Sequence, residues 1–196
     1  MKNLILFSAT VFLLSCGSPL PTLDRHSPAP TPYPVPTITS PTYASCRYNY
    51  IGSTSELPDH NCTPGVVSSK VTEDNRFQTI CRSGYTKTIR PPVSYTNKLK
   101  LQQLIAYGDA QRLFDAQSIA YKFEEDHLVA LEIGGSPTDP LNLWPEVRGS
   151  TNADLKDKVE NATHEQICLG KLPLNDAQQK MALNWYQLGQ DLGVIK

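Results

Sequence analysis

The stretch from Glu124 to Glu146, EEDHLVALEIGGSPTDPLNLWPE, decides the fold expected for this chain. β-Forming residues with partial alternation precede the Gly134-Gly135 pair, and the turn-rich SPTDP then leads into LNLWPE. This pattern predicts a strand, a turn-rich loop and a second short strand. Two strands joined in this way would bring the polar side chains of the stretch together.

A long helix is predicted directly after the second strand. The sequence STNADLKDKVENATHEQICLGK offers Ser150 or Thr151 as the N-cap, with Asp154 completing a capping box. Gly170 supplies the stop signal at the other end. Strand, loop, strand and helix then follow one another along the chain.

Two further helices are predicted to flank this unit. One runs from about residue 94 to a stop at Gly108, and the other places Met181, Trp185 and Leu188 on one core-facing stripe. Asn175 is a plausible cap for the latter helix.

The lead-in to the helices and strands is predicted to be irregular. Residues 43–80 are rich in turn signals and predict loops, with a small hairpin at VVSSKV. The expected architecture is an α+β domain over residues 43–196 with a disulfide-stapled N-terminal part. Its core motif spans residues 121–169.

Length and charge set broad limits on function. The 196 residues, 39% of them hydrophobic, suffice for one domain with a core. The formal net charge of −1 provides no global field of the kind that coats nucleic acid or attracts acidic substrates. Any charge signal must therefore be local.

The first 42 residues predict export and a membrane tether. Lys2 precedes the apolar run LILFSATVFLL, which fits a secretory signal core over residues 1–15. The following LLSC resembles the lipobox of bacterial lipoproteins, which implies that Cys16 is lipidated. In lipoproteins of this kind an acidic residue after the lipidated cysteine can signal retention in the inner membrane. Gly17 stands at that position here, so the resemblance favours the outer membrane. Proline-rich residues 16–42 predict an extended tether between the lipid and the domain.

The four remaining cysteines predict two disulfides in an oxidising compartment. Three pairings are open, and Cys46 with Cys62 and Cys81 with Cys168 is the preferred set. The first pair closes a short local loop, and the second ties the start of the domain to its late helix. A zinc site is discounted because no CxxC spacing occurs.

One set of motif residues carries a family resemblance. Asp126-His127, then Leu131, Gly134-Gly135, Asn142 and a following helix together resemble the HNH endonucleases of the ββα-metal superfamily. The overlap covers about residues 81–190, and it is strongest between Tyr121 and Lys158. A bare Asp-His pair is not specific, since Asp59-His60 is another.

The resemblance implies a role for each matching residue. His127 would be the general base that takes a proton from water, which suits a side chain with a near-neutral pKa. Asn142 would hold the loop and the base in place. Asp126 and Asn152 would bind a metal, with Glu160 or His164 as alternatives to Asn152. Oxygen ligands favour Mg²⁺, with Mn²⁺ or Ca²⁺ as alternatives.

The same resemblance implies nucleic acid as the partner. Lys156, Arg90 and Lys87 would contact phosphates, although a basic run of this kind is often only a solvated face. The expected activity is metal-assisted hydrolysis of phosphodiester bonds in DNA, with RNA as an alternative and little sequence preference. No protein partner is inferred.

Two other classes of protein stay open at this point. One is a lipoprotein that kept the scaffold to bind nucleic acid or the cell envelope without catalysis. The other is a structural protein of the envelope, in which His127 is a structural histidine and Asn142 is a turn residue.

Overall fold

A computed structural model describes residues 46–51 and 55–196. The expected signal peptide, the lipid-attachment residue Cys16 and the tether lie outside these residues. The described part is α+β, as the sequence predicts, with two small antiparallel sheets and two disulfides.

Nine helices and strands make up the described part of the chain, and we number them in chain order. They are β1 Asn49–Ile51, β2 Ser55–Leu57, α1 Tyr85–Ile89, α2 Val93–Ala106, α3 Leu113–Ile119, β3 Phe123–His127, β4 Leu143–Val147, α4 Ala153–Cys168 and α5 Leu174–Asp191. Short 3₁₀ turns at Ala120–Lys122, Leu131–Ile133 and Pro140–Asn142 occupy parts of the connections.

The quoted stretch forms the antiparallel pair β3–β4. Glu124 lies opposite Glu146, and Asp126 lies opposite Trp144. Because side chains alternate along a strand, Glu124, Asp126 and Glu146 share one face of the pair. The strand order and the following helix therefore place several acids together.

The core lies where this pair meets the last two helices. Trp144 of β4 and Trp185 of α5 are both fully buried, and they belong to one apolar cluster with Val159 and Ile167 of α4. The predicted stripe of Met181, Trp185 and Leu188 is buried as expected. Burying side chains of this size contributes about 1.5–3 kcal/mol each. Helix α2 covers the opposite side, where Tyr95, Leu99 and Leu143 pack together.

Both predicted disulfide pairings are confirmed. Cys46 bonds to Cys62 across a sequence separation of 16, and Cys81 bonds to Cys168 across a separation of 87. The second bond fastens the segment before α1 to the C-terminal end of α4. The segment that leads to Arg90 is thereby tied to the helix that carries Lys156.

Several local predictions differ from the structure. The N-terminal hairpin is β1–β2, whereas Val67 of VVSSKV forms only an isolated bridge to Gly135. Helix α4 begins after Asn152 and α5 after Pro173, and neither N-cap residue makes a side-chain capping bond. Helix α3, which has exposed Leu113 and Phe114 in its first turn, was not expected because its apolar residues do not form one buried stripe.

No helix within the described residues is long and apolar enough to cross a membrane.

The close approach of Gly135 to Val129 generates a stability prediction. A Cβ atom at Gly135 would lie 1.7 Å from the Val129 carbonyl oxygen, whereas one at Gly84 would meet nothing within 4 Å. We expect Gly135→Ala to cost about 3 kcal/mol or more, because backbone must move to admit the methyl group. Urea unfolding measures the loss.

Gly84→Ala is the matched control for this prediction. Gly84 has a φ of 81°, so its alanine variant should lose only about 1–2 kcal/mol through left-handed backbone strain. Equal losses for the two variants would contradict the steric explanation for Gly135.

Candidate active site

The C-terminal end of β3 opens into a polar cavity of about 300 Å³. The catalytic and metal candidates His127 and Asp126 both line it, together with Glu160 of α4 and Arg90 before α2. Neighbouring side chains of a regular strand point to opposite faces, so Asp126 and His127 can share a cavity only where the strand ends. Strand β3 ends at His127, which meets this requirement.

His127 is held with a defined proton position. Its Nε2 atom lies 3.0 Å from the Pro137 carbonyl oxygen, which can only accept a hydrogen bond. Nε2 therefore carries the hydrogen, and Nδ1 of the neutral ring has the free lone pair. Burial lowers the pKa of His127 despite the opposing charge of Asp126. The neutral, basic form consequently predominates at pH 7.

Asn142 fixes the loop that follows His127. Its side-chain oxygen accepts the Val129 N–H at 3.0 Å, and its amide nitrogen donates to the carbonyl oxygens of Val129 and Ser136, both at 3.0 Å. The side chain is fully buried. These contacts suit the loop-holding role that the resemblance implies, and they give Asn142 no direct part in proton transfer.

Lys156 lies at the centre of the site rather than at its surface. Its ammonium donates to Asp126 at 2.5 Å, to the His127 carbonyl oxygen at 2.8 Å and to Glu160. The side chain is only 1% exposed. All three donors are used within the protein, so the expected contact between Lys156 and a phosphate has no free donor here.

Four acidic side chains gather around this lysine, and we call them the carboxylate cluster: Glu124, Asp126, Glu146 and Glu160. One oxygen from each of Glu124, Asp126 and Glu146 lies within 4.8 Å of the others. Glu160 joins them through Lys156.

The acids of the carboxylate cluster outnumber the cations that pair with them. Lys156 and Arg148, which pairs with Glu124 at 2.8 Å, are two cations against four acids. The Glu146 carboxyl lies against Asp126, yet neither of its oxygens has a hydrogen-bond partner of normal geometry among the described residues. Buried charge without a partner is costly, so the excess must be neutralised by protons or by a cation.

The pKa shifts in the carboxylate cluster follow from burial and this charge imbalance. Burial raises the pKa of Glu146 well above its usual range, and burial raises that of Glu160 to about 8. Burial also acts to raise the pKa of Asp126, but the charge and hydrogen bond of Lys156 oppose it, as does the charge of His127 once that ring is protonated in acid, and the net effect lowers that pKa. At neutral pH the surplus charge is thus held as protons on Glu146 and Glu160.

The other expected metal ligands have different partners. The Asn152 side-chain oxygen accepts the Glu56 N–H at 3.0 Å, which fastens β2 to the start of α4. His164 Nε2 lies 2.9 Å from the Ile80 carbonyl oxygen, beside the Cys81–Cys168 disulfide. Of the three candidates for a second ligand, Glu160 is the one that the structure brings to Asp126.

Arg90 and Lys87, the two expected phosphate contacts that do not belong to α4, are both exposed. Arg90 lines the cavity, whereas Lys87 lies about one helical turn earlier in α1. Arg90 is therefore the cation best placed to meet a ligand that enters the cavity.

Glu125 is a further lining residue that the sequence did not single out. Both of its carboxylate oxygens are buried, with no hydrogen-bond partner within residues 46–51 and 55–196, and burial raises its pKa well above the usual range. The charge of Lys100 opposes this shift. Glu125 lies on the opposite face of β3 from Glu124 and Asp126 and reaches the cavity at the strand end.

Glu124 and Glu146 were also missed as site residues. The signal that could have found them is the two-residue spacing between Glu124 and Asp126 on one strand, with a single acid on the strand that pairs with it. The exact register was needed to use that signal.

Comparison with protein-family models, with curated proteins and with solved structures gave no match. What this chain can do is therefore inferred from its own residues and their geometry.

Lys156 generates a pH-dependent stability prediction. We expect Lys156→Met to lose about 3–5 kcal/mol at pH 8, because removing one partner of a buried ion pair leaves charge uncompensated. The loss should be smaller at pH 5. The pKa of Glu160, about 8 in the folded chain, is higher than in the unfolded chain. Such a carboxyl stabilises the fold fully at a pH below its unfolded-state pKa, and this contribution is lost as the pH rises through the folded-state pKa.

Urea unfolding at both pH values measures this effect. Lys158→Met is the matched control, because Lys158 is exposed on the same helix and should change stability by no more than about 0.5 kcal/mol. A loss for Lys156→Met that is the same at pH 5 and pH 8 would contradict the assigned role of the carboxylate cluster.

Proposed function

We propose that the protein is a metal-dependent endonuclease of the HNH type that hydrolyses phosphodiester bonds in DNA. The observation that carries this proposal is the cavity at the end of β3, where a histidine with a free Nδ1 lies beside buried, under-compensated carboxylates. The path from β3 through the Asn142-held loop to β4 and α4 supports a ββα-metal unit. RNA is an alternative substrate.

The carboxylate cluster fits a hard divalent cation, Mg²⁺ before Mn²⁺ or Ca²⁺. Asp126, Glu124 and Glu146 would hold it, because their oxygens converge and, within the described part of the chain, the Glu146 carboxyl has only Asp126 of the same cluster against it. Asn152, whose oxygen is bonded to Glu56, is not part of this ligand set. A bound cation would supply charge stabilisation for the phosphorane-like transition state and the leaving oxygen.

The protein's own residues supply proton transfer and positioning. His127 Nδ1 takes the proton from the attacking water, while the Pro137 carbonyl oxygen keeps the ring in the required tautomer. Asn142 holds the loop so that this geometry is preserved. Arg90 contacts the phosphate at the cavity, and Lys87 contacts the backbone further out. None of these groups reads a base edge, so we expect little sequence preference.

The proposal includes export and attachment to a membrane through lipid on Cys16, with the outer membrane favoured. Two disulfides are compatible with an oxidising compartment. A tethered nuclease would act on nucleic acid that reaches the cell envelope.

One observation favours a second candidate, a lipoprotein that binds nucleic acid or the cell envelope without catalysis. The Lys156 ammonium already occupies the carboxylate cluster and supplies part of the positive charge that a metal would bring. A scaffold that relied on this internal cation alone would keep its fold and lose the metal-assisted reaction.

Plasmid cleavage separates these two candidates. The full-length chain with Mg²⁺ or Mn²⁺ should nick supercoiled DNA, and His127→Ala should lower the rate by about 10²–10⁴-fold, the usual contribution of general acid–base catalysis. Gel electrophoresis of the plasmid over time measures the rate.

His60→Ala is the matched control for His127→Ala. His60 also follows an aspartate, Asp59, but its Nε2 atom lies near the Leu183 carbonyl oxygen and outside the cavity. The His60→Ala variant should cut plasmid at the wild-type rate. Intact plasmid under all metal conditions, or equal cutting by the His127 variant, would refute the proposed catalysis.

Metal binding can be tested apart from cleavage. Mn²⁺ at about 100 times its Kd should stabilise the chain by about 2.7 kcal/mol and raise Tm accordingly. Glu146→Gln should remove most of that shift without lowering the Tm of the metal-free chain, because glutamine resembles the protonated acid already present there. Thermal unfolding with Mn²⁺ or with a chelator measures both values. Full retention of the Mn²⁺ shift in Glu146→Gln would exclude Glu146 as a ligand.

A further inference from the structure

A second group of metal-ligating side chains lies outside the catalytic cavity. Cys81, His164 and Cys168 each offer one ligand atom, and these atoms all lie within 4.8 Å of one another. His164 and Cys168 are one turn apart on α4, and His164 Nε2 is 3.4 Å from Cys168 Sγ. In the structure the two sulfurs are joined as a disulfide.

A carboxylate, Glu132, borders the same place, although it is not one of the side chains whose ligand atoms lie within 4.8 Å of one another. Glu132 lines a cavity of about 250 Å³ together with Cys81 and His164. Its Oε1 atom is buried and has no hydrogen-bond partner among the described residues. Such an atom normally has a partner, and the Glu132 carboxylate also interacts electrostatically with His164, so an acceptor oxygen is available beside the two sulfurs and the imidazole.

We propose that Cys81, Cys168, His164 and Glu132 form a zinc-binding site when the Cys81–Cys168 disulfide is reduced. Two thiolates, one imidazole and one carboxylate are a ligand set that zinc takes in tetrahedral sites. The disulfide and the metal are then alternative ways to join the segment before α1 to the end of α4. The oxidised protein has the covalent bond, and the reduced protein has the metal.

The site would form in two steps, reduction of the disulfide and binding of zinc. A small dithiol transfers two electrons and two protons to the disulfide, so the S–S bond breaks, Cys81 and Cys168 become thiols, and the dithiol becomes a cyclic disulfide. Zinc binding then releases both thiol protons to solvent. His164 moves its ring hydrogen from Nε2 to Nδ1, gives up its bond to the Ile80 carbonyl oxygen and offers the Nε2 lone pair.

The ligands of this site are different residues from those of the proposed nuclease centre. Its sulfur ligands favour a soft or borderline metal, whereas the carboxylate cluster offers oxygen alone. A probe that reports metal–sulfur bonds therefore distinguishes the two.

Cobalt(II) is such a probe, because thiolate ligands give it a charge-transfer absorption band. The full-length chain is reduced with dithiothreitol, freed of the reductant without oxygen and titrated with Co²⁺, beside an untreated oxidised sample. We expect a thiolate–cobalt band that saturates at one Co²⁺ per chain in the reduced sample only, and its loss when Zn²⁺ is added.

Four variants assign the ligands. Cys46→Ser/Cys62→Ser should keep the band, and Cys81→Ser/Cys168→Ser should lose it. His164→Gln and Glu132→Gln should each weaken Co²⁺ binding by about tenfold or more, because each removes a direct ligand and loss of an outer-shell partner alone costs about 10–100-fold. Because binding can itself drive folding, a reduced chain that is unfolded without metal should still develop the band.

Three outcomes would overturn the zinc proposal. They are no thiolate band in the reduced wild type, an equal band in Cys81→Ser/Cys168→Ser, and loss of the band in Cys46→Ser/Cys62→Ser. None of them bears on plasmid cleavage, so the two proposals fail or succeed separately.

Discussion

The ion pair between Lys156 and Asp126 is the interaction on which the site depends. It joins the first turn of α4 to the C-terminal end of strand β3, and the same ammonium also binds the His127 backbone carbonyl. One buried cation thus fixes the position of the histidine, the direction of the helix and the spacing of the acids around it. Removing one partner of such a pair lowers the free energy of unfolding by more than the intact pair contributes to it, because the remaining charge stays buried without compensation.

Two further constraints hold the rest of the frame around this ion pair. The loop after His127 cannot pair all of its backbone N–H and C=O groups with one another. The Asn142 side chain supplies hydrogen-bond partners for two of these groups, the N–H and the C=O of Val129. The Cys81–Cys168 bond holds the segment leading to Arg90 against α4. The cavity wall is therefore fixed from the strand, the loop and the helix side at once.

The sequence predicted the elements that have strong local signals. Period-2 alternation and the glycine pair indicated β3 and β4, and the stripe of Met181, Trp185 and Leu188 indicated α5. The pairing of Cys81 with Cys168 was also predicted correctly. Local signals failed for α3, which has no clear buried stripe, and for the hairpin that forms at β1–β2.

The site itself was only partly predictable because its composition depends on contacts distant in sequence. Lys156 carries a charge that usually lies in solvent, and nothing within its own helix indicates that Asp126, thirty residues earlier, would draw it inward. Asn152 matched a motif position but is bonded to Glu56, 96 residues away. Motif spacing identifies which residues are near the site, while the tertiary contacts decide which atoms are free to act.

The carboxylate cluster has three ways to balance its charge, and they compete. The Lys156 ammonium and protons on Glu146 and Glu160 act on the oxygens of the cluster, and the proposed divalent cation would act on the same oxygens. A cation that binds must therefore displace protons, and its affinity must rise with pH as those carboxyls ionise. The buried lysine limits the negative charge that the metal-free fold has to tolerate. It also keeps the acids close enough together for a cation to bind without rebuilding the site.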